Sequence, residues 1–371
     1  MKWHFIDPVD VLFLRGNKLF GDPGSYGESQ IPPWPSVAAG AIRASLLARD
    51  GIDFQRFARG EEPHPAIGTP QQPGPFRVTA FGLARRKENR LERIWLLPND
   101  LVVNRNGDEQ LEICLLAPQA LAAGIDSSFP LPLLPVLSQP ERSKPVNGYW
   151  LTENGWARYL SGEAPSADDL IEIGKLWLND ERVGVGLDPE LRRAEDGKLF
   201  SAQAVDFRPG VGFVVSVQGV DLPDEDLLRF GGDGRSADLL AAEYEPPAVS
   251  LEDIANAGQA RLVLSSPGLF AEGWRLPGMH EDGRFELQGV RGRVVAAAVT
   301  RAEVVSGWDL ARWQPKVAQR AAPTGSVYWL EELEASPEQL GKLADHGLWE
   351  GAGYDAQRYA EGFNRFEWGS W

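Results

Sequence analysis

The order strand, helix, glycine turn, strand occurs twice along this chain of 371 residues, and that repeat constrains its fold more than any single motif. In the first half, "GVGFVVSVQG" reads as a strand, "LPDEDLLRF" as a helix and "GGDGRSADLL" as a glycine turn entering a strand. In the second half, "TGSVYWLEEL", "SPEQLGKLADHGL" and "AEGFNRFEWGSW" repeat those elements. A strand-rich stretch precedes each copy; before the second it holds "ARLVLSSPGLF" and the hairpin-like "GRVVAAAVTRAEVVSGWDL". Two β-α-β-β-α-β units of the ferredoxin-like (RRM-like) type, with insertions, account for this arrangement. The expected class is α+β, with one domain over residues 1–247 and a second over 248–371, joined near "EYEPPAVSLED". The length favours about two domains on its own.

Local signals fill in the frame. The first strand, "KWHFIDPVDVLFL", is interrupted at Asp7-Pro8 and leads into a Gly/Pro loop from Gly21 to Pro35. "SVAAGAIRASLLARD" then predicts a helix with Ser36 as its N-cap. It is apolar almost all round, Arg43 being its only charge before Arg49, so it should lie buried against a sheet. Residues 60–76 hold five prolines and read as a surface loop. Asn106-Gly107 supplies the positive φ angles of a tight hairpin turn, and "GYWLTENGWARYLSGE" and "SADDLIEIGKLWL" carry helical spacing.

Charge and chemistry exclude more than they assign. One cysteine, Cys114, rules out an intramolecular disulfide framework and a Cys-based zinc cluster. The N-terminus has no charged-then-apolar leader pattern and no apolar stretch approaches a membrane span, so a cytoplasmic protein is expected. No phosphate-binding loop, dinucleotide fingerprint or nucleophile elbow occurs. None of the four histidines pairs with another at ligand spacing, so neither metal nor cofactor is expected. The net charge of −16 opposes nucleic-acid binding as a sum, yet its distribution does not. Residues 221–253 carry ten carboxylates against Arg229 and Arg235, whereas residues 291–320 carry six cations against Glu303 and Asp309. An acidic shell with separate basic patches suits a protein that grips an anion in one place and repels it elsewhere.

The basic patches coincide with glycine turns. "RGNKLFG", "ERVGVGLDPELRRAEDGKLF", "GGDGRS" and "EGFNRF" all set Gly beside Arg or Lys at expected strand ends, where exposed backbone N–H groups can bind phosphate. Several of the thirteen tryptophans, Trp308 and Trp313 among them, neighbour cations, a mixture suited to single-stranded nucleic acid or to sugar stacking. His4 is the one candidate general base for metal-free RNA cleavage; its alternative is a sheet histidine with a satisfied hydrogen bond.

The segments "KWHFIDPVDVLFLRGNKLFG", "SQIPPWPSVAAGAIRASLL", "ERVGVGLDPELRRAEDGKLF", "GGDGR", "SGWDLARWQPK" and "GSVYWLEE", in that order, resemble the family of the third Cmr subunit, RAMP-superfamily proteins of type III-B CRISPR complexes. The resemblance implies a non-catalytic subunit that binds the 5′ repeat-derived tag of the guide RNA beside the large polymerase/cyclase-like subunit and the backbone RAMP subunit. It implies RNA contacts or their support at Arg15, Gly16, Lys18 and Phe20, and at Ser36 and Arg43 on the first helix. Arg43 is alternatively a structural ion-pair partner. A hairpin with Arg182, Gly184, Arg192 and Arg193 would lie near the RNA, and Arg235, Trp308 and Lys316 complete the set. The family's glycine-rich loop maps to Gly362, Asn364 and Arg365, with Asn364 where a second glycine is usual; Asn tolerates positive φ, so the turn can form. Two rival readings are a metal-free RAMP endoribonuclease acting through His4 and a glycan-binding protein using its tryptophans.

Overall fold

The apolar N-terminus forms strand β1 (Trp3–Pro8), and in the computed structural model both edges of that strand are paired. Apart from residues 1, 17–25, 88–89, 106–109, 123, 139–143, 189, 310 and 352–353, the structure describes the whole chain. Strand predominates over helix, in several sheets, and the class is α+β. The chain divides into two compact units: 1–91, 173–244 and 305–318 in the first, and 92–172, 245–304 and 319–371 in the second. This differs from a single cut after residue 247, because 92–172 pack with the second unit and 305–318 with the first.

In the first unit, β1 is followed by helix α1 (Pro35–Arg49) and strand β2 (Arg77–Lys87), with β3 (Arg90–Arg93) at one edge of the sheet. A long two-stranded arm, β4 (Trp177–Leu187) and β5 (Ala194–Phe207), precedes β6 (Val211–Gln218), β7 (Glu225–Arg229) and β8 (Ser236–Ala242). The main sheet has the order β7-β8-β1-β6-β2-β3, and β8, β1, β6 and β2 pair antiparallel in turn. Helix α1 packs on β2 and β7, burying Ala38, Ala39, Ile42 and Leu46. Its N-cap is Trp34, with Pro35 in the first turn and no side-chain cap, so Ser36 is not the N-cap. Proline's fixed φ suits the first helical position, which moves the helix start ahead of the serine.

The segment "LPDEDLLRF" is not a helix. Glu225–Arg229 form the edge strand β7, paired with Ser236–Leu240 of β8. Leu228 is buried while Leu227 is exposed, the alternation of a strand with one wet face. "SADDLIEIGKLWL" likewise yields two single-turn 3-10 segments and short strands rather than a continuous helix. The expected Asn106-Gly107 turn lies outside the described residues, but its flanking strands, Leu101–Arg105 and Leu111–Leu115, pair antiparallel. Residues 60–76 are organised around buried His64, whose Nδ1 accepts from the amides of Ala66 and Ile67 while Nε2 lies 2.8 Å from Asp50.

The second unit is built on β9 (Ala260–Leu264), β10 (Arg284–Leu287), β11 (Val290–Ala298), β12 (Val327–Glu334) and β13 (Phe366–Gly369). Its sheet order is β10-β11-β12-β9-β13, with every neighbouring pair antiparallel. "GRVVAAAVTRAEVVSGWDL" therefore does not fold back on itself: β11 pairs with β10 and β12. The segment Pro337–His346 is helical, opened by a Ser336–Gln339 capping box, and packs on one face of the sheet with Leu340 and Leu343. The insertion 92–172 covers the other face: Trp95, Leu101, Leu151, Trp156, Tyr159 and Leu160 meet Val263, Val295, Val327 and Trp329. A sheet covered on both sides needs no polar alternation, which explains the continuous runs "ARLVL" and "VYWL".

A buried polar cluster fixes the insertion to the sheet. Arg261, on β9, reaches Asp100 at 3.2 Å and the carbonyl of Tyr159, and the Tyr159 hydroxyl donates to Asp100 at 2.8 Å. Burial pushes the Asp100 carboxyl above the usual range, opposed by Arg261 and the tyrosine hydroxyl. Replacing Arg261 by Leu strands this carboxyl, a change that costs about 3–5 kcal/mol. We expect the thermal midpoint of the second unit to fall by on the order of 10 °C. The loss should be greater at pH 8 than at pH 5, because a folded carboxyl with a raised pKa holds its proton more tightly than the unfolded chain, and stability then declines as pH rises. A midpoint unchanged at both pH values would show that the pair contributes nothing.

Candidate functional site

The chain leaving β1 is held extended as Val11, Leu12, Phe13 and Leu14, all buried. Leu12 exchanges backbone hydrogen bonds with Val205 of β5, at 2.9 and 2.8 Å. The Phe13 carbonyl accepts from Gly232, and the Leu14 carbonyl from Gln30. Beyond Leu14 the side chain of Arg15 emerges. Its Nη2 lies 2.8 Å from Asp233, in the turn that joins β7 to β8. That turn needs left-handed backbone at Gly231, Asp233 and Gly234, at φ of 84°, 56° and 70°.

Three arginines converge on this segment. The guanidinium of Arg235 lies 5.4 Å from the Phe13 ring centroid and that of Arg182, on β4, lies 5.8 Å from the same ring. Phe13 is 6% exposed, so its ring is a buried floor beneath two partly exposed cations, Arg182 more open to solvent than Arg235. Each arginine also meets a carboxylate: Arg15 with Asp233, Arg235 with Asp10 at 2.5 Å, Arg182 with Asp180 at 2.9 Å. All three carboxylates are well exposed, between 42% and 64%. Exposed pairs of this kind contribute about 0–1 kcal/mol each. Another anion can therefore replace the carboxylates at little cost to the fold.

The arm carries further features of the sequence reading. Gly184 sits opposite Phe200, whose ring occupies the space a Cβ would need, and Gly186 lies under the side chain of Lys198. One face of the arm thus carries Arg182, Phe200 and Lys198 over glycines. Arg192, at φ 50°, and Arg193 form the exposed tip, closed by Asp188, which accepts from the amides of Glu190 and Leu191. Gly16 adjoins Arg15, with Gln30 beside it. Lys18 and Phe20 lie outside the described residues. Ser36 is half-buried on α1, and Arg43 lies with its guanidinium 5.3 Å from the ring of Phe76. Trp308 and Lys316 belong to a separate small hairpin of the first unit.

Gly362, Asn364 and Arg365 lie in the second unit, and their polar groups are bonded to the protein itself. Asn364 adopts φ 59°, so the asparagine does support the left-handed turn, but it is 1% exposed. Its side chain accepts from the Leu269 amide and donates to the Leu348 carbonyl. Arg365 donates to the Asp345 carbonyl at 2.8 Å.

His4 does not fit a general base. It is 2% exposed, with Nε2 3.1 Å from the Pro223 carbonyl, and burial lowers its pKa against the opposing pull of that carbonyl and Asp224. Among the described residues, no group of three or more His, Cys, Asp or Glu side chains could hold a metal ion. Nor, among the described residues, is any helix long and apolar enough to cross a membrane. The residues that sequence reasoning missed are Phe13, Asp10 and Asp180. Phe13 reads as one more apolar strand position, and only the fold shows it lying beneath the arginines.

A family model described as "CRISPR-associated protein (Cas_Cmr3)" matches residues 4–371. No curated protein matches the chain. Two chains of cryo-EM structures match this chain, the first of them at the level of fold. One comes from the Type III-B Cmr-beta bound to cognate target RNA, at 13% identity and a TM-score of 0.51, covering 98% of this chain and 96% of that one. The other, from Type III-B Cmr-beta bound to cognate target RNA and AMPPnP, has 14% identity and a TM-score of 0.47 over 98% and 95%.

If the arginine–carboxylate pairs are as weak as their exposure implies, Arg15→Ala, Arg182→Ala and Arg235→Ala each move the thermal midpoint by less than about 3 °C. A larger fall in any of them, measured by calorimetry, would assign that arginine to the framework.

Proposed function

Since this chain belongs to the Cmr3 family of CRISPR-associated proteins, we propose that it is the non-catalytic subunit of a type III-B effector complex that binds the 5′ repeat-derived tag of the guide RNA through Arg15, Arg182 and Arg235. The observation that carries this reading is the convergence of Arg182 and Arg235 on Phe13, with Arg15 two residues further along the same segment, on a chain of net charge −16. Guanidinium groups suit phosphate oxygens, which they bind with two parallel hydrogen bonds. Phosphate displaces Asp233, Asp10 and Asp180 from their partners, and the freed carboxylates turn to solvent. Gly16, Gly184, Ser36, Arg43, Arg192, Arg193, Trp308, Lys316 and the loop from Gly362 to Arg365 remain candidates for contact or support, as do Lys18 and Phe20.

Each unit is read as ferredoxin-like. Numbered by appearance, its four core strands follow the order 4-1-3-2: β8-β1-β6-β2 in the first unit and β13-β9-β12-β11 in the second. Each keeps a helix at only one of the two crossovers, Pro35–Arg49 in the first and Pro337–His346 in the second. The acidic remainder of the surface faces neighbouring subunits or solvent, with the large polymerase/cyclase-like subunit and the backbone RAMP subunit as the partners the family implies. Buried His4 supports the reading without RNA cleavage by this chain.

The test is tag-RNA binding by the assembled complex across a salt series. Arg15→Ala, Arg182→Ala and Arg235→Ala should each weaken binding several-fold and lower the slope of log affinity against log salt by about one. Asp233→Asn should strengthen binding, because the competing carboxylate is gone. Wild-type affinity and slope in all three arginine variants would remove the basis of the proposal.

A further inference from the structure

We propose that the hairpin formed by Trp308–Asp309 and Gln314–Pro315 is a stacking platform for one unpaired base of the bound RNA, with Trp313 as its principal face. The inference rests on the RNA-binding reading above and adds a second, chemically different contact. Trp308 and Trp313 are 45% and 74% exposed, with ring centroids 6.0 Å apart and planes at 87°. Rings set edge to face cannot cover both faces of each other, and an indole three-quarters exposed keeps a face open to solvent.

The hairpin is built to hold these rings. Trp308 pairs with Pro315 and Asp309 with Gln314. The Asp309 carboxylate accepts from the amides of Ala311 and Arg312 at 3.0 and 3.1 Å, which winds the turn. Below it, Ser306 Oγ donates to the Lys316 carbonyl at 2.8 Å, and the Lys316 amide donates to Gly307 at 2.9 Å. At the far side of the turn Trp313 takes φ 53°, a backbone conformation disfavoured for a bulky L residue. A tryptophan in the core would be buried; this one is wound outward on a strained turn.

Arg312 and Lys316 favour a nucleobase over an apolar protein side chain as the occupant. They lie in the same hairpin, and its only carboxylate among the described residues, Asp309, is engaged by the turn amides and by Arg312 at 3.9 Å. Aromatic faces with adjacent cations bind unpaired bases and their phosphates together. Every base has a π-face, so the platform should accept any of the four at its position.

The assembled complex, loaded with guide RNAs carrying 5-iodouridine at one position at a time, is irradiated and the crosslinked peptides mapped by mass spectrometry. Crosslinks from one guide position to the peptide containing Trp308 or Trp313 are expected. Trp313→Ala should abolish them and weaken guide binding about tenfold, with Trp313→Phe restoring most of the affinity. Crosslinks to the peptides of Arg15, Arg182 or Arg235 but none to residues 305–318 would overturn the platform and leave the tag-binding reading standing. Crosslinks to neither would overturn both. Should Trp313→Ala release a neighbouring subunit while all RNA crosslinks persist, the pair is a protein anchor and the proposal fails.

Discussion

Strand β1 is paired on both edges by chain more than two hundred residues downstream, and the candidate site follows from that pairing. Residues 3–6 are matched to 213–216 on one side, and residues 3–8 to 237–242 on the other. Once Pro8 is set against Ala237, the chain leaving β1 must pass the turn that enters β8, which brings Arg15 to Asp233 and Phe13 to Arg235. Arg182 arrives by a different route, because β5 bonds to Leu12 and carries β4 beside it. Two sequence-distant arginines, Arg182 and Arg235, thus share the Phe13 ring, with Arg15 two residues along the same segment, as a consequence of register. A slip of one residue in β1 would exchange the side chains on its two buried faces, Trp3 and Phe5 for His4 and Ile6, so the packing that fixes its register holds the site in place as well as the core.

Much of this framework was legible because local and tertiary preferences agree. The strands "GVGFVVSVQG" and "TGSVYWLEEL", the buried helix after Pro35 and the helix after Ser336 all form where their patterns predict. The misreadings have physical causes. In "LPDEDLLRF" Phe230 stands three residues from Leu227, as on a helix face, and two from Leu228, as on a strand, and the edge of β8 decides for strand. In "SVAAGAIRASLLARD" the proline ahead of the serine begins the helix one turn position early. The insertion 92–172 carries no boundary signal, because its partners on the second sheet are far away in sequence.

The site itself was half legible. Gly/Arg turns mark Arg15, Arg182 and Arg235 as candidates, since each stands within two residues of a glycine. Their grouping is not adjacent in the chain and could not be read there. Equally hidden were their carboxylate partners. Asp10 is a lone charge in an apolar stretch and Asp180 belongs to a run of ordinary solvated charge, and only pairing distances of 2.5 and 2.9 Å single them out.

On the proposed reading, those carboxylates reconcile an acidic chain with an anionic ligand. With an aspartate on each arginine, the patch is near neutral and does not attract every polyanion, as an uncovered basic surface would. An incoming RNA segment gains only if several phosphates displace several carboxylates at once, since each exchange taken alone trades one exposed ion pair for another. On that reading the grouping of Arg182 and Arg235 over Phe13, with Arg15 beside them, would favour a ligand that meets all three, because one that fits a single arginine recovers little. Affinity in the proposed site would come from simultaneity rather than from net charge, which is how a chain of net charge −16 would still hold an anionic ligand.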